Sequence, residues 1–151
     1  MLEKVLTKDS IEAKYPAQDR NEAVRESGRL LVKVGAADPN YVDAMINNVD
    51  INGTYIVIAP GIAMPHARPE TGAKKVGFSL VTLAEPIRFG HPTNDPVKLV
   101  IGLCATDYES HLKALAELVS LLSDENRVQA IIGAKNADTI YQLISEEKQN
   151  D

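Results

Sequence analysis

The chain has 151 residues, a length that suits one globular unit, and we expect residues 1–151 to form a single domain. Sixteen basic and twenty-one acidic residues give a net charge of −5, which argues against non-specific binding of nucleic acid or insertion into an anionic membrane. One cysteine, Cys104, cannot form an intramolecular disulfide, and the chain lacks both a secretory signal and an apolar run long enough to cross a bilayer. These features predict a cytoplasmic protein.

Two helices are predicted in the first third of the chain. Residues 19–22 have the form of a capping box, and apolar residues recur at three-to-four spacing after it, which predicts a helix over residues 20–34. Pro39 suits the first turn of a second helix, which we expect to end near residues 47–48.

The central third changes to the pattern of β-strands. Three apolar or β-branched runs predict strands at residues 55–58, 76–83 and 97–103. The third run is apolar almost throughout, which indicates burial on both faces by helices. Residues 85–96 are rich in proline, glycine and asparagine, so we expect turns there.

The last third returns to helices. A second capping box, at residues 106–109, precedes an apolar stripe that continues to Leu122, and two shorter helices follow, one closing at Gly133 and one around residues 140–144. We expect residues 146–151 to be solvated. Helices before, between and after strands predict a three-layer α/β/α sandwich.

A loop at residues 59–70 is the first candidate site. Its three prolines and one glycine exclude continuous ladder or helix bonding, and it carries His66 directly after Pro65, with Arg68 two residues further on. Such a rigid loop is suited to presenting a reactive side chain. The alternative is an exposed histidine without function.

The second candidate is His111, which falls near the start of the predicted third long helix. Backbone amides at a helix start favour anions such as phosphate, although a solvated polar position is the simpler reading of His111 alone. A neutral imidazole can attack phosphorus and pass the group on, with Arg68 and His111 stabilising its oxygens. The sequence has no nucleotide-binding motif, so we expect a phosphoryl relay without a cofactor.

Other chemistries have weaker support. We expect His91 to be a surface residue and Cys104 to be a small buried hydrophobe. The three histidines are separated by 25 and 20 residues (66 to 91, 91 to 111), which matches no metal-ligand motif. A metal-dependent hydrolase is therefore a third and minor hypothesis, and we predict no bound metal.

Three segments carry a family resemblance: Gly61–His66, Val97–Leu103 and His111–Leu115. Together they resemble the EIIA component of the phosphoenolpyruvate-dependent sugar phosphotransferase system, fructose/mannitol type. The loop sequence Pro-His-Ala-Arg is similar to the ascorbate-specific branch. This resemblance implies a mixed sheet of about five strands flanked by helices.

The resemblance also implies a function. The phosphocarrier HPr would phosphorylate His66 on the ring nitrogen distal to the backbone, and the group would pass to a cysteine of the cognate EIIB, which serves the membrane component EIIC in uptake of ascorbate or a related sugar. His111 would hydrogen-bond the phosphoryl group. The alternative is a regulatory EIIA-like module whose phosphorylation state controls partner proteins.

The sequence departs from the mannitol branch at one position. That branch has an arginine near the end of its second helix, where this chain has Asn48. We hypothesise that Arg68 supplies the positive charge instead. We also expect an apolar docking rim that includes Ile62 and Met64; the oligomeric state, a dimer among the options, is left open.

Overall fold

The computed structural model of the protein describes residues 2–145. The described part forms six α-helices and five strands. The helices are α1 (Leu2–Val5), α2 (Arg20–Lys33), α3 (Pro39–Asn52), α4 (Tyr108–Leu122), α5 (Glu125–Gly133) and α6 (Ala137–Ser145), and the strands are β1 (Ile11–Tyr15), β2 (Val57–Ala59), β3 (Ile62–Ala63), β4 (Gly77–Ile87) and β5 (Val97–Cys104). The predicted solvated tail, residues 146–151, lies outside the described residues. No helix of the described part is long and apolar enough to cross a bilayer.

The five strands form one mixed sheet in the order β1-β4-β5-β3-β2. The pairs β1–β4 and β3–β5 are parallel, whereas β4–β5 and β2–β3 are antiparallel. This architecture confirms the predicted α/β class and the mixed, five-stranded sheet.

Helices cover both faces of the sheet and enclose two apolar cores. Helices α2 and α3 contribute to one core, while α1, α4, α5 and α6 contribute to the other. Successive residues of β5 alternate between them, because Val100 faces the first core and its neighbours Leu99 and Ile101 face the second. Burial on both faces explains why this strand is apolar almost throughout.

Helix α2 begins where the sequence predicts. The Asp19 carboxylate accepts a hydrogen bond from the Glu22 amide at 2.8 Å, and the Glu22 carboxylate accepts one from the Gln18 amide at 3.2 Å. The second bond reaches one residue further back than a standard capping box. The bonds satisfy one amide in the first helical turn, that of Glu22, and one just before the helix, that of Gln18.

Two other helix boundaries differ from the predicted ones. Helix α3 continues to Asn52 instead of ending near residues 47–48, and its C-cap is Gly53. Asparagine has only a modest helix penalty, so Asn47 and Asn48 do not end a helix that packs against α2. Helix α4 begins at Tyr108, later than a capping box at residues 106–109 predicts.

The predicted strand at residues 55–58 is wrong in its first half. Residues 54–56 form a 3₁₀ turn, and β2 begins at Val57. The sequence also missed β3, which lies inside the segment interpreted as a loop. Gly61 has a φ of +76°, a conformation that glycine adopts without strain, and it allows the tight antiparallel turn that joins β2 to β3.

Strand β1 was not predicted either, and β4 is longer than expected. Residues 11–15 have a mixed burial pattern because β1 is the edge strand beside β4. Strand β4 continues through the first residues of the proline-rich segment to Ile87, where it still pairs with Val97.

Helix α2 packs tightly against the sheet at Gly102. A Cβ atom added there would lie 3.2 Å from the Cβ and from the carbonyl oxygen of Ser27, and would clash with the Ser79 hydroxyl. That buried hydroxyl donates a hydrogen bond to the Ser27 carbonyl at 2.7 Å. Any side chain at position 102 therefore pushes α2 away from β4 and β5.

We expect Gly102→Ala to lower the free energy of unfolding by about 1–3 kcal/mol, because overpacking forces the helix and the sheet apart. Urea unfolding at equilibrium measures the change. Gly133→Ala is the matched control: a Cβ there meets no atom within 4 Å, and alanine is the better helix former by about 1 kcal/mol. Equal midpoints for Gly102→Ala and wild type would contradict the packing argument.

Candidate functional site

The parallel pair β3–β5 brings the two candidate histidines to one edge of the sheet. His66 follows the end of β3 by three residues, and His111 lies in the first turn of α4, just after β5. Parallel neighbours end at the same edge, and the crevice outside their carboxyl ends is the usual ligand position in α/β sheets. The Leu103 amide donates to the Pro65 carbonyl at 3.2 Å, which keeps the His66 segment beside the end of β5.

His66 and His111 line the same cavity. Its volume is about 260 Å³, and both histidines are partly buried with part of their surface open to solvent. The remaining lining residues come from α3, the His66 segment, the end of β5 and the connection between β5 and α4: Tyr41, Ala67, Pro69, Leu103, Cys104, Ala105, Thr106 and Asp107.

The ring of His66 has a hydrogen-bond partner at each nitrogen. Its Nδ1 lies 2.9 Å from the Met64 carbonyl oxygen, and its Nε2 lies 3.3 Å from the Tyr55 hydroxyl. A carbonyl can only accept, so Nδ1 carries the proton and Nε2 carries the lone pair of the neutral ring. The hydroxyl of Tyr55 then donates to Nε2. The nitrogen with the lone pair is therefore the one distal to the backbone.

Asn48 holds this arrangement from the end of α3. Its Nδ2 donates to the Tyr55 hydroxyl at 2.7 Å and to the His66 carbonyl at 2.9 Å, and its Oδ1 accepts from the Asn52 side chain. The rings of Tyr55 and His66 also meet edge to face, with centroids 5.7 Å apart. Asn48 thus orders the His66 segment through neutral hydrogen bonds.

Tyr41 anchors the residue after His66. Its buried hydroxyl accepts a hydrogen bond from the Ala67 amide at 3.0 Å and lies 2.7 Å from the Leu103 carbonyl, to which it donates. Burial raises the pKa of Tyr41 well above its usual value, so the hydroxyl keeps its proton. Helix α3, the His66 segment and β5 are connected at this one oxygen atom.

Arg68 shares a depression with His66, but a different one from the cavity that His111 lines. It is exposed and lines a second depression, of about 330 Å³, together with His66, Asn48 and Tyr55. Among residues 2–145 its guanidinium has no ion-pair partner. The structure therefore brings His66 together with each of the other two candidates, although His111 and Arg68 line different depressions.

The contacts of His91 and Cys104 indicate structural roles for both residues. The partly buried His91 accepts hydrogen bonds at Nδ1 from the amides of Thr93 and Asn94, and it lines neither depression at His66. Cys104 is buried as expected, and burial raises the pKa of its thiol to about 12. A protonated thiol is a poor nucleophile.

The prediction that Ile62 and Met64 belong to an exposed apolar docking rim is wrong. Ile62 and Met64 are buried in the second core, because β3 is an interior strand. The exposed large apolar residues around the site are Ile51 and Tyr55, which line the second depression, and Leu112, next to His111.

Tyr41 and Tyr55 are site residues that the sequence did not reveal. Neither belongs to a motif, and Tyr55 was assigned to a strand whose β-branched character extends only from residue 56 onward. The sequence singled out Asn48 only as a departure from the mannitol branch. Its hydrogen bonds to Tyr55 and His66 depend on the packing of α3 against the loop.

Comparison with known proteins agrees with this geometry. The family model "Phosphoenolpyruvate-dependent sugar phosphotransferase system, EIIA 2" matches residues 4–147. The ascorbate-specific PTS system EIIA component of Salmonella choleraesuis is 40% identical over 137 residues, covering 90% of this chain and 89% of that protein.

Two solved structures from Escherichia coli are similar along nearly their whole length. The mannitol-specific cryptic phosphotransferase enzyme IIA has a TM-score of 0.85 at 36% identity, covering 95% of this chain and 97% of that one. The enzyme IIAMTL, solved in complex with phosphorylated enzyme IIBMTL, has a TM-score of 0.78 at 29% identity, covering 91% and 94%.

The family model and the ascorbate-specific relative each match nine-tenths of the chain or more. The chain belongs to the type 2 EIIA family of the phosphoenolpyruvate-dependent sugar phosphotransferase system. Within that family it is similar to the ascorbate-specific components.

We expect Tyr41→Phe to lower the free energy of unfolding by about 1–3 kcal/mol, since the Ala67 amide and the Leu103 carbonyl each lose a partner. Urea unfolding measures this loss. Tyr141→Phe is the control, because no residue within 2–145 bonds its hydroxyl. A midpoint for Tyr41→Phe equal to that of the control would show that water replaces both bonds.

Proposed function

We propose that His66 is the phospho-acceptor of a phosphoryl relay and that Nε2 is the atom that carries the group. The observation that supports this most directly is the hydrogen bond from Nδ1 to the Met64 carbonyl. It leaves the lone pair on the nitrogen that faces away from the backbone, next to a solvent-open cavity.

The reaction consists of two displacements at phosphorus. The Nε2 lone pair forms an N–P bond while the N–P bond of a phosphohistidine on HPr breaks, and the released electron pair stays on the HPr imidazole. Because Nδ1 keeps its proton, the phosphorylated ring of His66 is cationic and a good leaving group. A cysteine thiolate of EIIB then forms an S–P bond, the N–P bond breaks, and its electron pair returns to Nε2.

His111 and Arg68 stabilise the oxygens of the migrating group. Phosphoryl transfer needs mainly alignment and donors placed in advance, because charge is spread over the equatorial oxygens. His111 lines the same cavity as His66, and Arg68 has no ion-pair partner within residues 2–145. Arg68 thereby takes over the role of the arginine that the mannitol branch has at position 48.

The partners follow from the family. EIIB is the acceptor, supported by the Escherichia coli complex of enzyme IIAMTL with phosphorylated enzyme IIBMTL. HPr is the donor, and EIIC is reached only through EIIB. The substrate transported is ascorbate or a related sugar, supported by the ascorbate-specific relatives. In this proposal the chain is one EIIA domain of 151 residues that works in the cytoplasm without a cofactor.

We expect wild-type protein to gain one acid-labile phosphate from phosphoenolpyruvate, Enzyme I and HPr, and His66→Ala to gain none. Intact-protein mass spectrometry measures the gain. His91→Ala is the matched control, because His91 lies outside the site, and it should be phosphorylated like wild type.

We expect an added ascorbate-type EIIB to accept the phosphoryl group from the phosphorylated wild-type protein. A phosphorylated His66→Ala protein would refute the assignment of the acceptor. Retention of the phosphate in the presence of every candidate EIIB would favour the regulatory alternative over the transport relay.

We expect Arg68→Ala and His111→Ala to slow phosphorylation by HPr about tenfold or more, the effect of losing one hydrogen bond to a charged group. Quenched-flow sampling of the phosphorylated fraction gives the rates. Arg88→Ala, which removes an exposed arginine of the segment between β4 and β5, is the control for charge. An unchanged rate for Arg68→Ala would exclude Arg68 as the replacement donor.

A further inference from the structure

We infer that Tyr55 is a further phosphoryl-binding residue: its hydroxyl, now hydrogen-bonded to Nε2 of His66, transfers that bond to a phosphoryl oxygen when His66 is phosphorylated, while Asn48 positions the phenol. The inference rests on the proposed function, because it requires a phosphoryl group on Nε2.

A hydrogen bond from Asn48 orients the Tyr55 hydroxyl. Its oxygen accepts a hydrogen bond from Asn48 Nδ2 at 2.7 Å and lies 3.3 Å from Nε2. A hydroxyl has one proton to donate, and the amide of Asn48 occupies one of its lone pairs. The proton is therefore directed at Nε2, along the direction in which a new N–P bond forms.

The hydroxyl and a phosphoryl group compete for the same lone pair. Once phosphorus is bonded to Nε2, no acceptor remains on that nitrogen, so the Tyr55 hydroxyl loses its partner. The nearest new acceptors are the phosphoryl oxygens, which are anionic and bind donors more strongly than a neutral imidazole does.

Tyr55 is able to make this small movement. Its side chain is half-exposed, and it borders an open depression of about 330 Å³. The bond to Nε2 is long for a hydrogen bond from a hydroxyl, so its release costs little.

Asn48 is a positioning residue in this scheme. Both of its N–H groups are in use, one on Tyr55 and one on the His66 carbonyl, and its oxygen accepts from Asn52. It therefore reaches the phosphoryl group only through Tyr55. The phosphorylated ring would then have a donor from each depression that His66 lines, Tyr55 from the second depression and His111 from the first cavity.

The test is Tyr55→Phe, which keeps the edge contact of the two rings and removes only the hydroxyl. We expect the equilibrium constant for phosphoryl exchange with phospho-HPr to fall about tenfold, the difference between a hydrogen bond to a charged acceptor and one to a neutral acceptor. The isolated phosphoprotein should also hydrolyse faster. Tyr141→Phe removes a hydroxyl elsewhere on the chain and should change neither quantity.

Nitrogen-15 NMR of the unphosphorylated protein separates this role from a structural one. In Tyr55→Phe the Nε2 resonance of His66 should shift while the Nδ1 resonance stays unchanged, because only the first nitrogen loses a partner. Asn48→Leu should shift the same Nε2 resonance, as expected of a residue that orients the phenol.

The outcomes distinguish this inference from the proposed function. If the wild type acquires no phosphate on His66, the proposed function fails, and this inference with it. If the wild type is phosphorylated on His66 but Tyr55→Phe keeps the exchange constant and the phosphoprotein lifetime within twofold of wild type, the inference alone is overturned.

Discussion

The site depends on a pairing of only two residues, Ile62 and Ala63 of β3, with Leu99 and Val100 of β5. Because the pairing is parallel, the chain leaves both strands at the same edge of the sheet. Both histidines line one cavity there, although 45 positions (111 − 66) separate them in the sequence. Gly61 fixes the register at the start of β3, since its carbonyl accepts from the amides of Lys98 and Leu99 at 2.8 and 3.0 Å. An antiparallel pairing would send His66 to the opposite edge.

The segment after β3 is rigid for a different reason from the one its prolines indicate. Three backbone groups close to the His66 ring have a partner: the Met64 amide donates to the Ile56 carbonyl, the His66 carbonyl accepts from Asn48, and the Ala67 amide donates to Tyr41. The Met64 carbonyl is left to accept from Nδ1. The tautomer of the ring is thus a consequence of how the backbone is satisfied, and the same contacts that stabilise the fold determine which ring nitrogen carries the lone pair.

The sequence predicts the parts of the fold that are determined by local pattern. Helix α2 has a cap and a long apolar stripe, and β5 is an unbroken apolar run, so both were located closely. Strand β3 has two residues between a glycine turn and a proline, which is too short for any periodicity. Strand β1 is an edge strand with a mixed pattern, and nothing local distinguishes it from a loop.

The candidate site also has some residues that local sequence properties predict and others that they do not. His66, His111 and Arg68 could be chosen from the sequence because loop context, helix position and charge are local properties. Tyr41 and Tyr55 could not, since their roles arise from hydrogen bonds to residues 26 and 11 positions away (67 − 41 and 66 − 55). A local sequence pattern does not predict which tyrosine hydroxyl will form a hydrogen bond with which histidine nitrogen in the folded chain.

The balance of donors around His66 suits a group that must be both accepted and released. A guanidinium fixed against Nε2 in a buried site would stabilise the phosphorylated state strongly and retard the second transfer, because only stabilisation specific to the transition state speeds both steps. Here the fixed contact is neutral, and the positive charge lies on Arg68, exposed and screened by solvent. In the proposed relay, the Tyr55 hydroxyl would make one hydrogen bond before transfer and one after it, so it would contribute only the difference between the two. Moderate stabilisation from several donors would keep the donor, carrier and acceptor states close in energy, which is the condition for a relay to run forward on small differences in concentration.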